Sequence, residues 1–459
     1  MSTPQPTIVS PGDRIARFAA QAANAELSDA VLTKTRDHLL DSLAAIVSGA
    51  ALEAGIAGRR YAETVGGTPA ASILGTTATA PLVEAALANG MSAHADESDD
   101  SHETSQTHPG CGVVPAAMVV AEREGASGRR LLSAVALGYE MTIRIAEAIG
   151  AGMTFKQSSL SSHAYGPLFG AGYAAGSLLG FDAAGFRALL NYLAQEASGL
   201  TTWRLDERHT LKSYVFGGMP ASNGVKAAAL VASGFTGGGD VLDLSNRNML
   251  DAISPQPNPQ ALTDGLGERY RLLETDIKLY PVGFPIASPL AALERLIGEQ
   301  RLDAGDVTEI RVRYHEDWYK VVGDETRLPD VNLRYCLAVT LLDGRLSFAA
   351  AHDAERMGSA DVQAVGRRIR LVGPPPGQDR FAATVEVDAR GTTARATQDR
   401  NVRGRYENPM TGDEIRDKAR ELMAPVLGAQ QTKRAIALVD TLESLPDVRA
   451  LSAALRPAR

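Results

Sequence analysis

Tyr165-Gly166-Pro167-Leu168-Phe169-Gly170-Ala171-Gly172-Tyr173-Ala174-Ala175-Gly176-Ser177-Leu178-Leu179 is the stretch that decides the architecture. Glycines at 166, 170, 172 and 176 interleave with alanines, and side chains this small let neighbouring backbones approach closely. The stretch therefore reads as a helix buried at the centre of other helices. A dinucleotide phosphate loop is the competing reading, and it fails because no strand precedes the stretch and its glycine spacing is wrong.

Helical patterning extends outward from this element in both directions. Upstream, Ser28 to Ala50, Pro81 to Ala95, Val113 to Glu124 and Gly128 to Ile149 repeat apolar residues at helical spacing. Ser28 can cap the first of these, and Pro81 sits early in the second. Downstream, Ala183 to Ala197, Met219 to Ser233 and Asp240 to Ala252 continue the pattern. Near Leu262 the texture changes. Arg269 to Tyr280, Val307 to Tyr314, Ile369 to Gly373 and Phe381 to Thr397 are rich in β-branched residues or alternate, which predicts strands. Between them Pro285 to Glu299, Val331 to Leu342 and Ala360 to Arg367 predict helices, and after Asn408-Pro409 the chain is helical again, over Asp413 to Leu427 and Gln430 to Leu445. The expected fold class is mainly α with α+β: an all-helical domain from residues 1–261 and 408–459, and an inserted α+β domain over 262–407.

A chain of 459 residues fits two domains, and its 44% hydrophobic content supplies a large core. No apolar run approaches the ~20 residues that span a bilayer. The stretch from Met1 to Pro6 lacks a basic segment leading into an apolar one, so no secretory signal is expected. Cys111 and Cys336 are the only cysteines, which excludes a disulfide framework and a four-thiolate iron-sulfur cluster within one chain. A cytoplasmic location is expected. A net charge of −8 argues against nucleic acid or an anionic membrane as the partner, because both need a basic face. An anionic substrate must then meet local cations.

Chemistry concentrates in Asn89-Gly90-Met91-Ser92-Ala93-His94-Ala95-Asp96-Glu97-Ser98-Asp99-Asp100-Ser101-His102-Glu103-Thr104-Ser105-Gln106-Thr107-His108-Pro109-Gly110-Cys111-Gly112. Three of the eight histidines and five carboxylates fall between His94 and His108. His108 precedes a proline, which pushes it out of helical geometry and beside the N-terminus of the next helix. A neutral imidazole there suits a general base acting on a carboxylate ligand. The plainer alternative is a loop histidine with a structural hydrogen bond. His94, Glu97 and Ser101 would share a face if the helix before them continued. Asp99 and Asp100 could orient a histidine, bind a metal or simply form a solvated acidic loop, while His102 reads as structural. A second reading makes His94, Asp99, Asp100, His102 and His108 ligands to a divalent ion in a metal-dependent hydrolase, although their spacing matches no zincin signature. A third is non-enzymatic, a carboxylate-binding helical dimer.

Asn89-Gly90 with His94, the run from Glu97 to His102, and His108-Pro109-Gly110 closely resemble the central motif of the MmgE/PrpD family. That family includes 2-methylcitrate dehydratases, cis-aconitate decarboxylases and iminodisuccinate epimerases. The likeness continues through Gly138-Tyr139-Glu140, Arg144-Ile145, Gly166 to Gly170, Lys212 with Gly217, Asn223-Gly224, Lys278-Leu279-Tyr280-Pro281, Tyr335-Cys336-Leu337-Ala338 and Leu342-Asp343-Gly344. It spans nearly the whole chain and does not choose among the reactions. The resemblance implies a helical domain with an α+β lid, a homodimer, and a cleft site with no metal or organic cofactor. It implies a cofactor-independent lyase, a dehydratase or decarboxylase of a small di- or tricarboxylate, with an epimerase as the alternative. His108 would be the principal acid/base, with Lys212 and Lys278 reaching into the site. Ser101 stands where the family commonly has Thr, and Glu97 where it has Asp. His163, Tyr335, His94 and Tyr280 are expected around the substrate. The chain departs from the pattern at Ser161, where the family has a histidine, and His163 is expected to replace that group as a neutral donor.

Overall fold

The computed structural model describes residues 9–23, 25–150, 158–243, 248–323 and 328–458. It divides into a first unit of residues 1–95, 99–277 and 411–459 and a second of residues 96–98 and 278–410. The fold is mainly helical, with an α+β part.

The first unit is a helical assembly. Helices α1 (Pro11–Ala22), α2 (Asp29–Gly49), α3 (Glu53–Val65), α4 (Leu82–Ala93), α5 (Pro109–Glu124) and α6 (Gly128–Ile149) are joined at Ala71–Ser72 and Thr79–Ala80 by a two-stranded hairpin, β1 and β2. Ser10, Ser28 and Ser127 cap α1, α2 and α6 through side-chain oxygens that accept backbone N–H groups. The glycine-rich stretch is a helix over Ser162–Leu178, sixteen of whose seventeen residues are buried, which places it at the centre as its composition predicts. Its glycines are needed for contact. A Cβ on Gly170 would collide with the Thr142 hydroxyl and the Gly138 carbonyl of α6, and one on Gly112 would lie 2.7 Å from Pro167 Cβ. The C-terminal helices Gly412–Leu427 and Ala429–Asp440 complete this unit, and Lys418 reaches the buried Asp41 of α2 at 2.6 Å. Among the described residues no single helix is long and apolar enough to cross a membrane.

The second unit is a two-layer α/β body. Its sheet runs in the order β4 (Ile369–Val372), β3 (Val307–Arg313), β5 (Ala383–Ala389), β6 (Thr392–Gln398), with β3 and β4 parallel and the other pairs antiparallel. Arg390 and Gly391, at φ 52 and 78, make the two-residue turn between β5 and β6. Ile310, Val312, Val385 and Val387 join one core with Leu290, Leu293, Leu333 and Leu337 of the helices Ala287–Gln300 and Leu333–Asp343. Between them, Arg311, Arg313, Glu386 and Asp388 form an ion-pair ladder.

Two expected elements differ. Arg269 to Tyr280 is not a strand: it holds a short 3-10 turn over Arg271–Glu274 and a single bridge between Ser101 and Asp276. The buried guanidinium of Arg144 in α6 takes the carbonyls of Ala261 and Asp264 just before this segment and of Arg269 at its start, and Glu140 of α6 accepts the Arg271 N–H, so the segment packs on α6 and not in a sheet. That capture also carries the first unit to Ile277, beyond the expected boundary at 262. Of the helix expected over Asp240 to Ala252, only Met249–Ile253 is helical; residues 244–247 lie outside the described residues.

Candidate active site

In the first unit, the site is built where α4 ends and α5 begins. Asn89 pins α4 to the β1 hairpin, its Oδ1 accepting Leu74 N–H at 2.8 Å and its Nδ2 donating to the Ser72 carbonyl at 2.9 Å. Gly90 faces Gly217, and a Cβ on either would strike the other's backbone carbonyl. Gly217 lies in a π-helical turn, Tyr214–Gly218, following the short helix Thr210–Ser213. Such turns bulge the backbone outward and recur at functional sites. Here the turn delivers Phe216, 1% exposed, into the middle of the histidines.

Asp99 holds two of those histidines. One carboxylate oxygen is 2.9 Å from His94 Nδ1 and the other 3.1 Å from His108 Nδ1. With both Nδ1 atoms protonated and donating, the Nε2 of each ring keeps its lone pair, which is the tautomer a general base needs. Exposure separates the two: the side chain of His94 is 0% exposed and that of His108 12%. His108 is thus the ring of this pair that can meet a ligand. Burial opposes ionisation of Asp99, yet its interactions with His108 and His94 outweigh it and hold the carboxyl well below its usual range. Burial also lowers His94 to about 3, so that ring is neutral.

Aromatic packing fixes the rest. His94 stacks on Phe216 at 4.4 Å between centroids, and His163 stacks on it at 4.2 Å. His108 lies 5.7 Å from His163 and 4.9 Å from His94. The Lys212 ammonium stands over Phe216 at 5.3 Å and over Trp203 at 5.4 Å. His163 is the second residue of the Ser162–Leu178 helix, and burial, reinforced by His108 and Lys212, pushes its imidazole well below the ordinary value. It stands as a neutral ring beside His108. Ser161 is fully buried and its hydroxyl accepts the Trp203 indole N–H at 3.1 Å, so a tryptophan edge packs at this position.

Glu97 and Lys278 meet within the second unit: the Lys278 ammonium donates to the Glu97 carbonyl at 2.9 Å and lies 3.5 Å from its carboxylate. Ser101, in the first unit, pairs through its backbone with Asp276. Three expected substrate contacts are placed differently. His94 is sealed between Asp99 and Phe216, which makes it a positioning group. The Tyr280 hydroxyl donates to the Glu294 carboxylate at 2.6 Å and the Tyr335 hydroxyl to the Ala350 carbonyl at 2.6 Å, both in the core of the second unit.

The five ligands of the metal-hydrolase reading do not converge. Asp100 accepts from Tyr139 at 2.6 Å and Gly110 N–H at 2.9 Å and meets His38 Nδ1 at 2.8 Å, while His102 pairs with Ser105 at 2.8 Å. A different set, His94, Asp99 and Cys111, has ligand atoms within 4.8 Å of one another and could accept an ion.

Sequence reasoning missed His209, Phe216 and Trp203. His209 is buried, takes a left-handed backbone at φ 60, and sits 5.2 Å from His94. Ser213 ties these rings together, its hydroxyl lying 2.6 Å from the carbonyls of both His94 and His209. The glycine pair after Phe216 was the available signal.

A helical unit drawn from both ends of the chain, an α+β unit inserted in it, and a carboxylate-held histidine pair beside an ammonium define a class: mainly helical, two-unit proteins with a site suited to proton transfer. Models of the MmgE/PrpD N-terminal domain and the MmgE/PrpD C-terminal domain match residues 13–262 and 280–444, and the chain belongs to the MmgE/PrpD family. It is 22% identical to cis-aconitate decarboxylase of Mus musculus, over 94% of this chain and 90% of that protein, and 23% identical to that of Homo sapiens, over 94% and 91%. It is also 25% identical to the cis-aconitate decarboxylase-like protein oryM of Aspergillus oryzae, over 80% and 81%.

Proposed function

We propose that this protein is a cofactor-independent lyase that acts on a small di- or tricarboxylate by moving a proton at a carbon next to a carboxylate. The observation that carries the reading is the Asp99 carboxylate bonded to His94 and His108 together, with the Lys212 ammonium over the adjoining Phe216. Membership of a family with cis-aconitate decarboxylases among its relatives supports a carboxylate substrate.

His108 Nε2 is the proton carrier. In a dehydration it takes the C–H proton, the released electron pair forms the double bond, and hydroxide departs with a proton as water. In a decarboxylation the C–C electron pair stays on carbon as carbon dioxide leaves, and the protonated ring supplies the proton to that carbon. An epimerase, the alternative, removes the proton from one face and returns it to the other. All three pass through negative charge beside a carboxylate, which a fixed ammonium stabilises. Lys212 is assigned that part, together with Lys278, whose role, like that of Glu97 and Ser101, rests on the family motif. A homodimer in a reducing compartment such as the cytoplasm accords with the family and with two buried cysteines that form no disulfide with each other.

The test is incubation with cis-aconitate, 2-methylcitrate and iminodisuccinate in deuterated water, followed by proton NMR. Loss of carbon dioxide or water names the lyase, and exchange without net conversion names the epimerase. Binding without exchange or product identifies the non-catalytic alternative, and a His108→Ala variant with near-parental turnover defeats the assignment of the base.

A further inference from the structure

Residues Asp96, Glu97 and Ser98 belong to the second unit, although the residues on both sides of them belong to the first. All three are at least 96% buried. Asp96 Oδ1 accepts the backbone N–H and the hydroxyl of Ser98 at 3.0 and 2.7 Å, closing a tight turn. Its other oxygen lies 2.9 Å from His352 Nε2, and His352 Nδ1 lies 2.7 Å from the Phe348 carbonyl. Each His352 nitrogen thus faces an oxygen: Nδ1 donates to the Phe348 carbonyl, and Nε2 makes an ion-pair contact with the Asp96 carboxylate, an arrangement that suits an imidazolium. Lys278 grips the middle of the same segment through the Glu97 carbonyl. The residue that follows Ser98 in the chain is Asp99, whose two oxygens hold His94 and His108.

We propose that His352 is a positioning residue for the histidine pair: by clamping Asp96 it fixes the three-residue bridge that sets where the Asp99 carboxylate stands. One peptide bond separates the clamped turn from Asp99, and a carboxylate serving two rings tolerates little displacement, since moving toward one imidazole lengthens the bond to the other. Nothing in the family motif marks His352, which is remote from it in sequence. The kinetic consequence rests on His108 as the proton carrier, whereas the placement can be read without turnover.

The experiment uses full-length protein carrying 15N-labelled histidine, in which an imidazole N–H donated to a buried carboxylate gives a downfield proton signal. The signal of His108 is assigned by its loss in His108→Gln. We expect His352→Ala and Asp96→Asn to abolish or shift that signal while unfolding stays cooperative, and His352→Gln, whose amide can still donate to Asp96, to retain it. For any acid of the panel that is turned over, kcat falls tenfold or more in His352→Ala with KM within threefold. Parental signals in both His352→Ala and Asp96→Asn overturn the proposal, as does a His352→Gln variant as impaired as His352→Ala. Should His352→Ala fail to fold, Asp96→Asn and His352→Gln carry the same decision. Absence of turnover on the whole panel would count against the proposed function and leave the NMR result standing.

Discussion

Replacing Asp99 with Asn keeps the shape of the side chain and removes its ability to serve two donors. The amide offers one oxygen acceptor and one NH2 donor, while the site presents two Nδ1 atoms, at 2.9 Å and 3.1 Å. Whichever histidine faces the NH2 group must move its proton to Nε2, and if that ring is His108 the base is lost. Each charge-assisted bond forfeited contributes about 1.5–3 kcal/mol. Asp99 is only 1% exposed, however, and burying a neutral amide costs less than burying a carboxylate, so stability offsets part of that loss. Catalysis has no such compensation. Loss of an orienting carboxylate beside a catalytic histidine costs roughly a hundredfold to ten-thousandfold in kcat. We therefore expect Asp99→Asn to lower kcat at least a hundredfold, with unfolding free energy changed by no more than about 3 kcal/mol. Turnover would be followed by NMR on the acid that the parent converts, and stability by urea unfolding. A variant that keeps a tenth or more of parental kcat with an unchanged pH profile refutes the orienting role.

Gly217→Ala places a methyl against the Gly90 carbonyl and should lower unfolding free energy by about 1–3 kcal/mol; an unchanged urea midpoint would show that the π-turn yields freely. Lys212→Met removes the ammonium over Phe216 and Trp203 and should raise KM for a carboxylate substrate at least tenfold, with Lys212→Arg closer to the parent; equal KM values would remove Lys212 from the site. Burial alone would lower His352, but the bond and charge from Asp96 outweigh it and raise the imidazole to about 9. Because that value exceeds the unfolded one, the pair's contribution is complete below about pH 6.5 and fades as pH rises through about 9, amounting to on the order of 3 kcal/mol. Urea unfolding at pH 7 and pH 10 measures it, and Asp96→Asn should flatten the difference. A parental slope in that variant would assign the pH dependence elsewhere.

What the sequence discloses follows the range of the interactions involved. The Ser162–Leu178 helix is readable because small residues at helical spacing have one use in a soluble core, and His108 because Pro109 and the α5 N-terminus constrain it locally. The neighbouring pair Asp99 and Asp100 marks where that legibility ends. Both are buried acids in one loop, and nothing in their local sequence says that Asp99 serves His94 and His108 while Asp100 is spent on His38, Tyr139 and the Gly110 amide. The division is set by α2 and α6, which bring His38 and Tyr139 to Asp100 from elsewhere in the chain. The same rule explains the failed strand at Arg269 to Tyr280: its β-branched residues carry local preference, but Arg144 and Glu140 of α6 engage the Arg269 carbonyl and the Arg271 N–H at its start. Phe216 is the sharper case. A π-turn has no composition of its own, and the one feature that requires it, the contact between Gly90 and Gly217, becomes visible only when both backbones are in place. The proposed proton carrier, His108, is therefore legible from the residues beside it, whereas Asp99, Phe216 and His352, the groups proposed to aim it, depend on contacts made at long range.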